Sequence, residues 1–372
     1  MNRRKVLMTA SVWSHIRNFH LPYLREFQRL GWETHVGCAG IPDGAAHVDS
    51  AIALPFEKRM ASTANFEAKR MLRRRIRQER YDLIITHTTL AACFTRLAVK
   101  GMRERPKVVN VMHGYLFDDD TPAVKRQALL TAEKLTAPQT DLLLVMNAWD
   151  YQTALKHRLG GRIEQIPGMG VDFSRLDAAK DAEGKRLREA LGISPEAFVL
   201  VCAAEFSPRK SQRVLIEAMR TAPQSAVLVL CGNGATLEAC RAQARELGVS
   251  DRVRFPGQVD NMPDWYRMAD ACVAASRSEG LPFNIIEAMH AALPVVASAV
   301  KGHVDLISDG VNGMLYPYGD AAALAGAVRR LMADDAARAD MGRRARLDSA
   351  GYALERVFPT VMDRYLSALD EP

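Results

Sequence analysis

Short runs of aliphatic and β-branched residues alternate with stretches of helical periodicity along most of the chain, and the alternation occurs in two separate sets. In the first set the strand candidates are 5–10, 33–38, 83–87, 108–113 and 142–146; in the second they are 198–203, 226–231, 253–255, 271–275 and 294–298. Apolar runs of this kind separated by helices predict parallel sheets covered by helices on both faces. Between the first two runs, an amphipathic helix over 19–30 is closed by Gly31, a residue suited to a helix C-terminus. A chain of 372 residues is also too long for one ordinary core. The expected architecture is α/β, with two tandem, doubly wound parallel-sheet domains. Residues 1–171 make the first and 172–351 the second. Residues 352–372 form a terminal helix, apolar at Leu354, Val357, Val361, Tyr365, Leu366 and Leu369, expected to dock back on the first domain. Open α/β sheets bind ligands beyond the carboxyl ends of their strands, so function is expected in a cleft between the two.

The composition, 48% hydrophobic and 25% charged, excludes a largely disordered or collagen-like chain. Six cysteines (Cys38, Cys93, Cys202, Cys231, Cys240 and Cys272) form no C-x-x-C pair, and most lie in apolar runs. Buried thiols in a reducing cytosol are expected, with neither disulfides nor zinc. No apolar run approaches the roughly 18–20 residues that span a bilayer, and no signal peptide precedes the first strand, so a cytoplasmic protein is expected. The net charge of +7 is uneven: residues 1–171 hold 26 Lys and Arg against 16 Asp and Glu, and residues 172–372 hold 24 against 27. Its densest stretch, Lys69-Arg70-Met71-Leu72-Arg73-Arg74-Arg75-Ile76-Arg77, has helical spacing and reads either as a solvated helix face or as a patch for an anionic membrane surface. No aromatics interleave with these arginines for base stacking, and no nucleic acid partner is expected.

The chemistry concentrates in Ser276-Arg277-Ser278-Glu279-Gly280-Leu281-Pro282-Phe283-Asn284-Ile285-Ile286-Glu287-Ala288-Met289. Gly280 frees the backbone after a strand and Pro282 suits a first helical turn, which leaves Glu279 in the loop and Glu287 on the helix. The helix N-terminus favours a phosphate, and the carboxylates can accept hydrogen bonds from sugar hydroxyls. Glu279 and Glu287, seven residues between them, resemble the E-x7-E motif of the retaining glycosyltransferases of family 4. Leu293-Pro294-Val295-Val296-Ala297-Ser298 and Asp309-Gly310-Val311-Asn312-Gly313-Met314-Leu315 also resemble that family. Upstream, Ala204-Glu205-Phe206-Ser207-Pro208-Arg209-Lys210-Ser211 resembles its diphosphate loop, with Lys210 on the family's lysine and Glu205 where an arginine is expected. Either Arg209 compensates or the helix dipole carries more of the load. Gly232-Asn233-Gly234 resembles the family's glycine-rich turn, and Val253-Arg254-Phe255-Pro256-Gly257 its next strand and turn.

In the first domain the resemblance is to a polysaccharide-synthesis subgroup, carried by His15-Ile16-Arg17-Asn18-Phe19-His20-Leu21-Pro22-Tyr23-Leu24, Thr86-His87-Thr88-Thr89 and Val111-Met112-His113-Gly114-Tyr115-Leu116-Phe117. His113, after a strand and before a glycine, is expected at the sheet's carboxyl end, and His15, Arg17 and His87 line an acceptor pocket or serve packing roles. Asp118-Asp119-Asp120 could hold Mg²⁺, but Thr121-Pro122 reads as a helix N-cap and first turn, where acidic residues are favourable.

The resemblance implies a GT-B fold of two Rossmann-like domains and transfer of a hexose or N-acetylhexosamine from a nucleotide-diphosphate sugar, UDP-linked by subgroup. The acceptor would be a saccharide or a polyprenyl-diphosphate-linked saccharide. Donor binding is expected from Arg209, Lys210, Gly232, Gly234, Glu279, Gly280, Leu281, Pro282, Phe283 and Glu287, with catalysis by His113, Glu279 and Lys210. No metal and no cofactor is expected, because protein groups stabilise the leaving diphosphate. Retention through a covalent intermediate and through same-face attack both fit the sequence, as do a nucleotide-sugar epimerase of the same fold and a non-catalytic sugar- or lipid-binding component.

Overall fold

The structure, a computed structural model, describes residues 3–57 and 59–370. Among these, residues up to Gly170 together with those from Glu355 onward form one compact unit, and Val171–Leu354 form another. Val171 donates its N–H to the carbonyl of Tyr352 (2.9 Å), and Leu354 to that of Val171 (2.9 Å), so the chain enters and leaves the second unit at paired segments.

The first unit holds seven strands, β1 (Lys5–Val12), β2 (Glu33–Ala39), β3 (Ser50–Ala53), β4 (Leu83–His87), β5 (Lys107–Met112), β6 (Leu142–Val145) and β7 (Arg162–Gln165). They pair in parallel in the order β3-β2-β1-β4-β5-β6-β7. The order reverses between β1 and β4, and helices such as Thr63–Glu79 and Thr89–Val99 cross between strands. The edge strands β3 and β7 escape the apolar pattern because each is half exposed: among the four residues of β7 none is buried, and in β3 only Ile52 is. The helix expected over 19–30 begins earlier and breaks at His20, giving Trp13–Phe19 and Leu21–Arg29 with Pro22 in the first turn of the second. Its apolar face carries Tyr23, Leu24 and Phe27 into the core. The C-terminal helix Leu354–Ser367 lays Tyr365 onto Phe27 (ring centroids 6.4 Å apart, 20°) and against Tyr23 (5.7 Å). Arg162 donates to Ser367 Oγ (2.7 Å).

The basic helix Thr63–Glu79 uses two of its arginines internally. Arg73 donates to the carbonyls of Ala98 and Lys100 (both 2.8 Å), satisfying groups at the end of the neighbouring helix. Arg75 bonds Ser50 Oγ (2.8 Å) and pairs with Glu79 (3.2 Å). Arg70, Arg74 and Arg77 remain exposed beside Phe66.

The second unit holds β8 (Phe198–Ala203), β9 (Ala226–Cys231), β10 (Val253–Gly257), β11 (Ala271–Ala274), β12 (Val295–Ser298) and β13 (Gly313–Tyr316). They run parallel in the order β10-β9-β8-β11-β12-β13, reversing between β8 and β11. The charged stretch before β8, which carries no clear periodicity, folds into helices Ser174–Asp177 and Asp181–Ala190. Tertiary contacts hold the second of these: Gly184 lies where a Cβ would meet the Arg267 carbonyl at 2.8 Å, and Arg188 pairs with Asp270 (2.8 Å). All six cysteines are free and buried.

Candidate active site

Each sheet brings polar side chains to its own point of reversal, where the loops after neighbouring strands diverge and leave a crevice. In the second unit these are the loops after β8, β11 and β12. Glu279, after β11, is 8% exposed. Its Oε2 accepts from Arg209 Nη1 (2.6 Å) and its Oε1 lies 2.7 Å from Lys210 Nζ, both from the loop after β8. Burial alone would raise this carboxyl; Lys210, Arg209 and His303 overcome that and hold it at about 2. The site therefore carries two fixed cations on one buried anion. Arg209 also donates to the Ser278 carbonyl (3.1 Å) and accepts at its own carbonyl from Arg277 N (2.8 Å), stitching the two loops together. Glu205 is exposed, and Arg209 supplies the second cation.

The loop then runs through Gly280, Leu281 and Pro282 into the helix Phe283–His290. Pro282 stands at the N-cap, not in the first turn as expected, because its extended ψ of 106° ends the loop before helical geometry begins at Phe283. Glu287 faces elsewhere than Glu279: its Oε2 accepts from Tyr266 OH (3.0 Å), and burial raises its pKa against that hydrogen bond and the nearby Arg175. Gly232 (φ +139°) and Gly234 (φ +152°) pack on the β8 loop so closely that a Cβ would lie 2.1 Å from the Ala204 carbonyl and 2.3 Å from that of Phe206. Only glycine fits there.

Three contributors lay outside the residues singled out by motif. Gly302 (φ +83°) lies where a Cβ would be 2.8 Å from that of Glu279; Lys301 accepts the Glu279 N–H at its carbonyl (3.3 Å); and His303 is 1% exposed, bonding the Ser298 carbonyl through Nδ1 (2.8 Å). All three follow β12 within five residues, but only the folding of that loop against the β11 loop brings them to Glu279. Tyr266, the partner of Glu287, is the fourth.

In the first unit, His15 follows β1, His87 ends β4 and His113 follows β5. His113 Nε2 lies 3.3 Å from His15 Nε2 and 3.2 Å from His87 Nδ1. His20, a residue of the quoted motif assigned no role by sequence, stacks on His87 with ring centroids 3.6 Å apart at 23°. Burial lowers the pKa of His15 to about 4 and takes His20, His87 and His113 well below the usual imidazole range. Arg17 stands apart from them, exposed and bonded to its neighbour Asn18 (3.2 Å).

Asp118, Asp119 and Asp120 precede the helix Ala123–Thr136. Its N-cap is Pro122 and not Thr121, because the Thr121 hydroxyl turns back to Asp118 Oδ1 (2.6 Å) and closes the preceding turn. Asp119 accepts from Trp149 Nε1 (2.9 Å).

Two family models divide the chain: Glycosyltransferase Family 4 matches residues 23–175 and Glycosyl transferases group 1 matches residues 184–348. EpsD of Bacillus subtilis (strain 168), named as a glycosyltransferase, is 32% identical over 372 residues, 99% of this chain and 97% of its own. Among solved structures, Anabaena HepE in complex with UDP-glucose matches with a TM-score of 0.78 at 22% identity, covering 98% of this chain and 99% of that one. WaaG, a glycosyltransferase involved in lipopolysaccharide biosynthesis, matches with a TM-score of 0.77 at 17% identity over 97% and 99%. The two parallel sheets and these neighbours identify the GT-B fold, and with a 32% identical relative matched nearly end to end, the chain belongs to the group 1 and family 4 glycosyltransferases.

Proposed function

We propose that the chain moves a hexose or N-acetylhexosamine from a UDP-linked sugar to a saccharide or polyprenyl-diphosphate-linked saccharide, with retention at the anomeric carbon, in cell-surface polysaccharide synthesis. The observation that carries this reading is the Arg209–Glu279–Lys210 cluster at the reversal of the second sheet, next to the helix Phe283–His290. The UDP-glucose bound by HepE and the lipopolysaccharide role of WaaG support the donor and acceptor classes.

On this reading the second unit is the donor side. The bond from C1 to the diphosphate oxygen breaks, and its electron pair becomes negative charge on the departing UDP. Lys210 and Arg209 lie where that charge grows, and Glu279 holds them there before the donor arrives, so little reorganisation is needed during the reaction. The amides near Gly280–Phe283 add their dipoles, and no metal or cofactor is needed at the diphosphate. Gly232 and Gly234 let the backbone approach the nucleotide, Glu279 orients the sugar hydroxyls and Glu287 holds the ribose. The first unit is the acceptor side: His113 contacts the reacting sugar, and His15, Arg17 and His87 line the acceptor, whose hydroxyl oxygen bonds C1 on the face the diphosphate leaves while its proton passes to the departing phosphate oxygen.

Among the described residues no helix is long and apolar enough to cross a membrane. The reading places the protein in the cytoplasm, docked on the anionic inner face of the cell membrane through Arg70, Arg74 and Arg77, where a lipid-linked acceptor waits.

The test is a screen of nucleotide sugars against lipid-diphosphate-linked saccharides, read by mass spectrometry for transfer and by NMR for anomeric configuration. Transfer from a UDP-sugar with retention is expected. Inversion, turnover confined to GDP-sugars, or an epimerised sugar with free UDP in the absence of acceptor would contradict the reading.

A further inference from the structure

The histidines at the reversal of the first sheet pose a counting problem that hydrogen bonding does not solve. An imidazole nitrogen offers either one N–H or one lone pair. His113 Nε2 nevertheless faces two other ring nitrogens, His15 Nε2 at 3.3 Å and His87 Nδ1 at 3.2 Å, and can make a well-formed hydrogen bond to only one of them. Among the described residues, His87 Nε2 and both nitrogens of His20 are buried with no hydrogen-bond partner at all.

A metal ion resolves the convergence. Nitrogens bound tetrahedrally at about 2.0–2.1 Å stand about 3.3–3.4 Å apart, close to the two measured separations. We propose that His15, His87 and His113 form a binding site for a borderline divalent transition metal, Zn²⁺ being the representative ion. The donor set is nitrogen only, which suits Zn²⁺, Co²⁺, Ni²⁺ or Cu²⁺ and not the oxygen-seeking Mg²⁺ or Ca²⁺. His20 also brings a nitrogen within 4.8 Å of the others, but it is not a fourth ligand in this arrangement. Rings stacked at 3.6 Å aim their in-plane lone pairs side by side, so His20 and His87 cannot both point at one ion. His20 is a positioning residue that fixes the plane of the His87 ring.

The scaffold around the three ligands is stiff. They come from three separate segments tied to adjacent strands. Beneath them the Thr9 hydroxyl bonds those of Thr86 and Thr95 (both 3.0 Å). Directly after His87, Thr88 holds a φ of +61°, unusual for a β-branched residue, and its hydroxyl accepts from Ser11 N (3.0 Å) and lies 2.8 Å from Ser11 Oγ. Backbone strain held by neighbouring contacts next to a cluster of this kind is characteristic of functional sites.

Metal binding does not depend on the proposed transfer reaction, but its consequence does. If His113 meets the donor sugar, the ion and the sugar compete for the same nitrogen, and Zn²⁺ suppresses transfer until a chelator removes it.

The test uses the full chain after chelator treatment, titrated with Zn²⁺ by calorimetry and with Co²⁺ by visible absorption. One ion per chain is expected, with tetrahedral Co²⁺ bands that Zn²⁺ abolishes. His15→Gln and His87→Asn are each expected to weaken binding at least about 10-fold, and His20→Phe to weaken it by a comparable factor through loss of ring positioning. His15 is partly exposed, so its variant decides the matter if the buried His87 variant fails to fold, with the thermal midpoint as the check. Absence of binding, binding unchanged in His15→Gln, or binding abolished instead by Glu33→Gln in the separate Glu33–His35–Glu79 group would overturn the proposal. Normal metal binding with no glycosyl transfer would leave this site standing and remove the transfer reading alone.

Discussion

Glu279 shows how a single buried carboxylate organises the second unit. Because Lys210 and Arg209 hold its folded pKa at about 2 against an ordinary value of 4.5, its charge contributes stability in full above pH 4.5. That contribution fades as pH falls from 4.5 toward 2, because the unfolded chain takes up the proton first. Urea unfolding of the wild type and Glu279→Gln should show a gap on the order of 3 kcal/mol near pH 7 that closes over that window. A gap independent of pH would mean that the ion pairs do not shift this group. Lys210→Ala is expected to lower kcat by about 10²–10³, the scale for removing one preorganised charge stabiliser, measured in steady-state transfer assays. The residues of this cluster were legible as an ordered motif. Lys301, His303 and Tyr266 were not, since only the folding of separate loops brings them to Glu279 and Glu287, and nothing in their spacing records that approach. His20 stood in plain view in the sequence, yet the helix expected over 19–30 placed it inside a first turn, whereas it stands at the break between two helices and stacks on His87.

At the scale of elements, the runs apolar on both faces were read correctly to within a residue or two at most ends, because parallel strands covered by helices leave no polar face to blur the pattern. The strands that were missed, β3, β7 and β13, are all sheet edges. The turn Gly232-Asn233-Gly234 ties the β9 loop to the β8 loop, and Gly234→Ala is expected to destabilise the second unit by about 2–4 kcal/mol through backbone strain and overlap with Phe206, measured by thermal or urea unfolding. The basic helix Thr63–Glu79 separates a structural set of arginines from a surface set, a distinction invisible in a run of like charges. Replacing Arg70, Arg74 and Arg77 by Ser should weaken co-sedimentation with anionic vesicles by roughly 1 kcal/mol per residue, or about 10²-fold together, and leave stability unchanged. Arg73→Ala should do the reverse, lowering the melting temperature with little effect on vesicle binding, because its guanidinium serves the Ala98 and Lys100 carbonyls. Equal vesicle binding by all variants would reduce the patch to a solvated face.

For the molecule as a whole, the net charge of +7 averages a basic first half and a slightly acidic second half. The compact units follow the same division, except that the chain returns at Glu355 to complete the first. Tyr365, fully buried against Tyr23 and Phe27, makes that return energetically important: Tyr365→Ala should cost the first unit about 3–5 kcal/mol in urea unfolding. On the proposed function, the Arg209–Glu279–Lys210 cluster of the second unit receives the diphosphate of a UDP-sugar. Calorimetric titration of UDP into the full-length wild type and into Lys210→Ala tests it most directly. Saturable binding of one UDP to the wild type is expected, weakened at least about 10-fold in the variant by loss of a charged contact. Equal UDP affinity in a folded Lys210→Ala protein would contradict it.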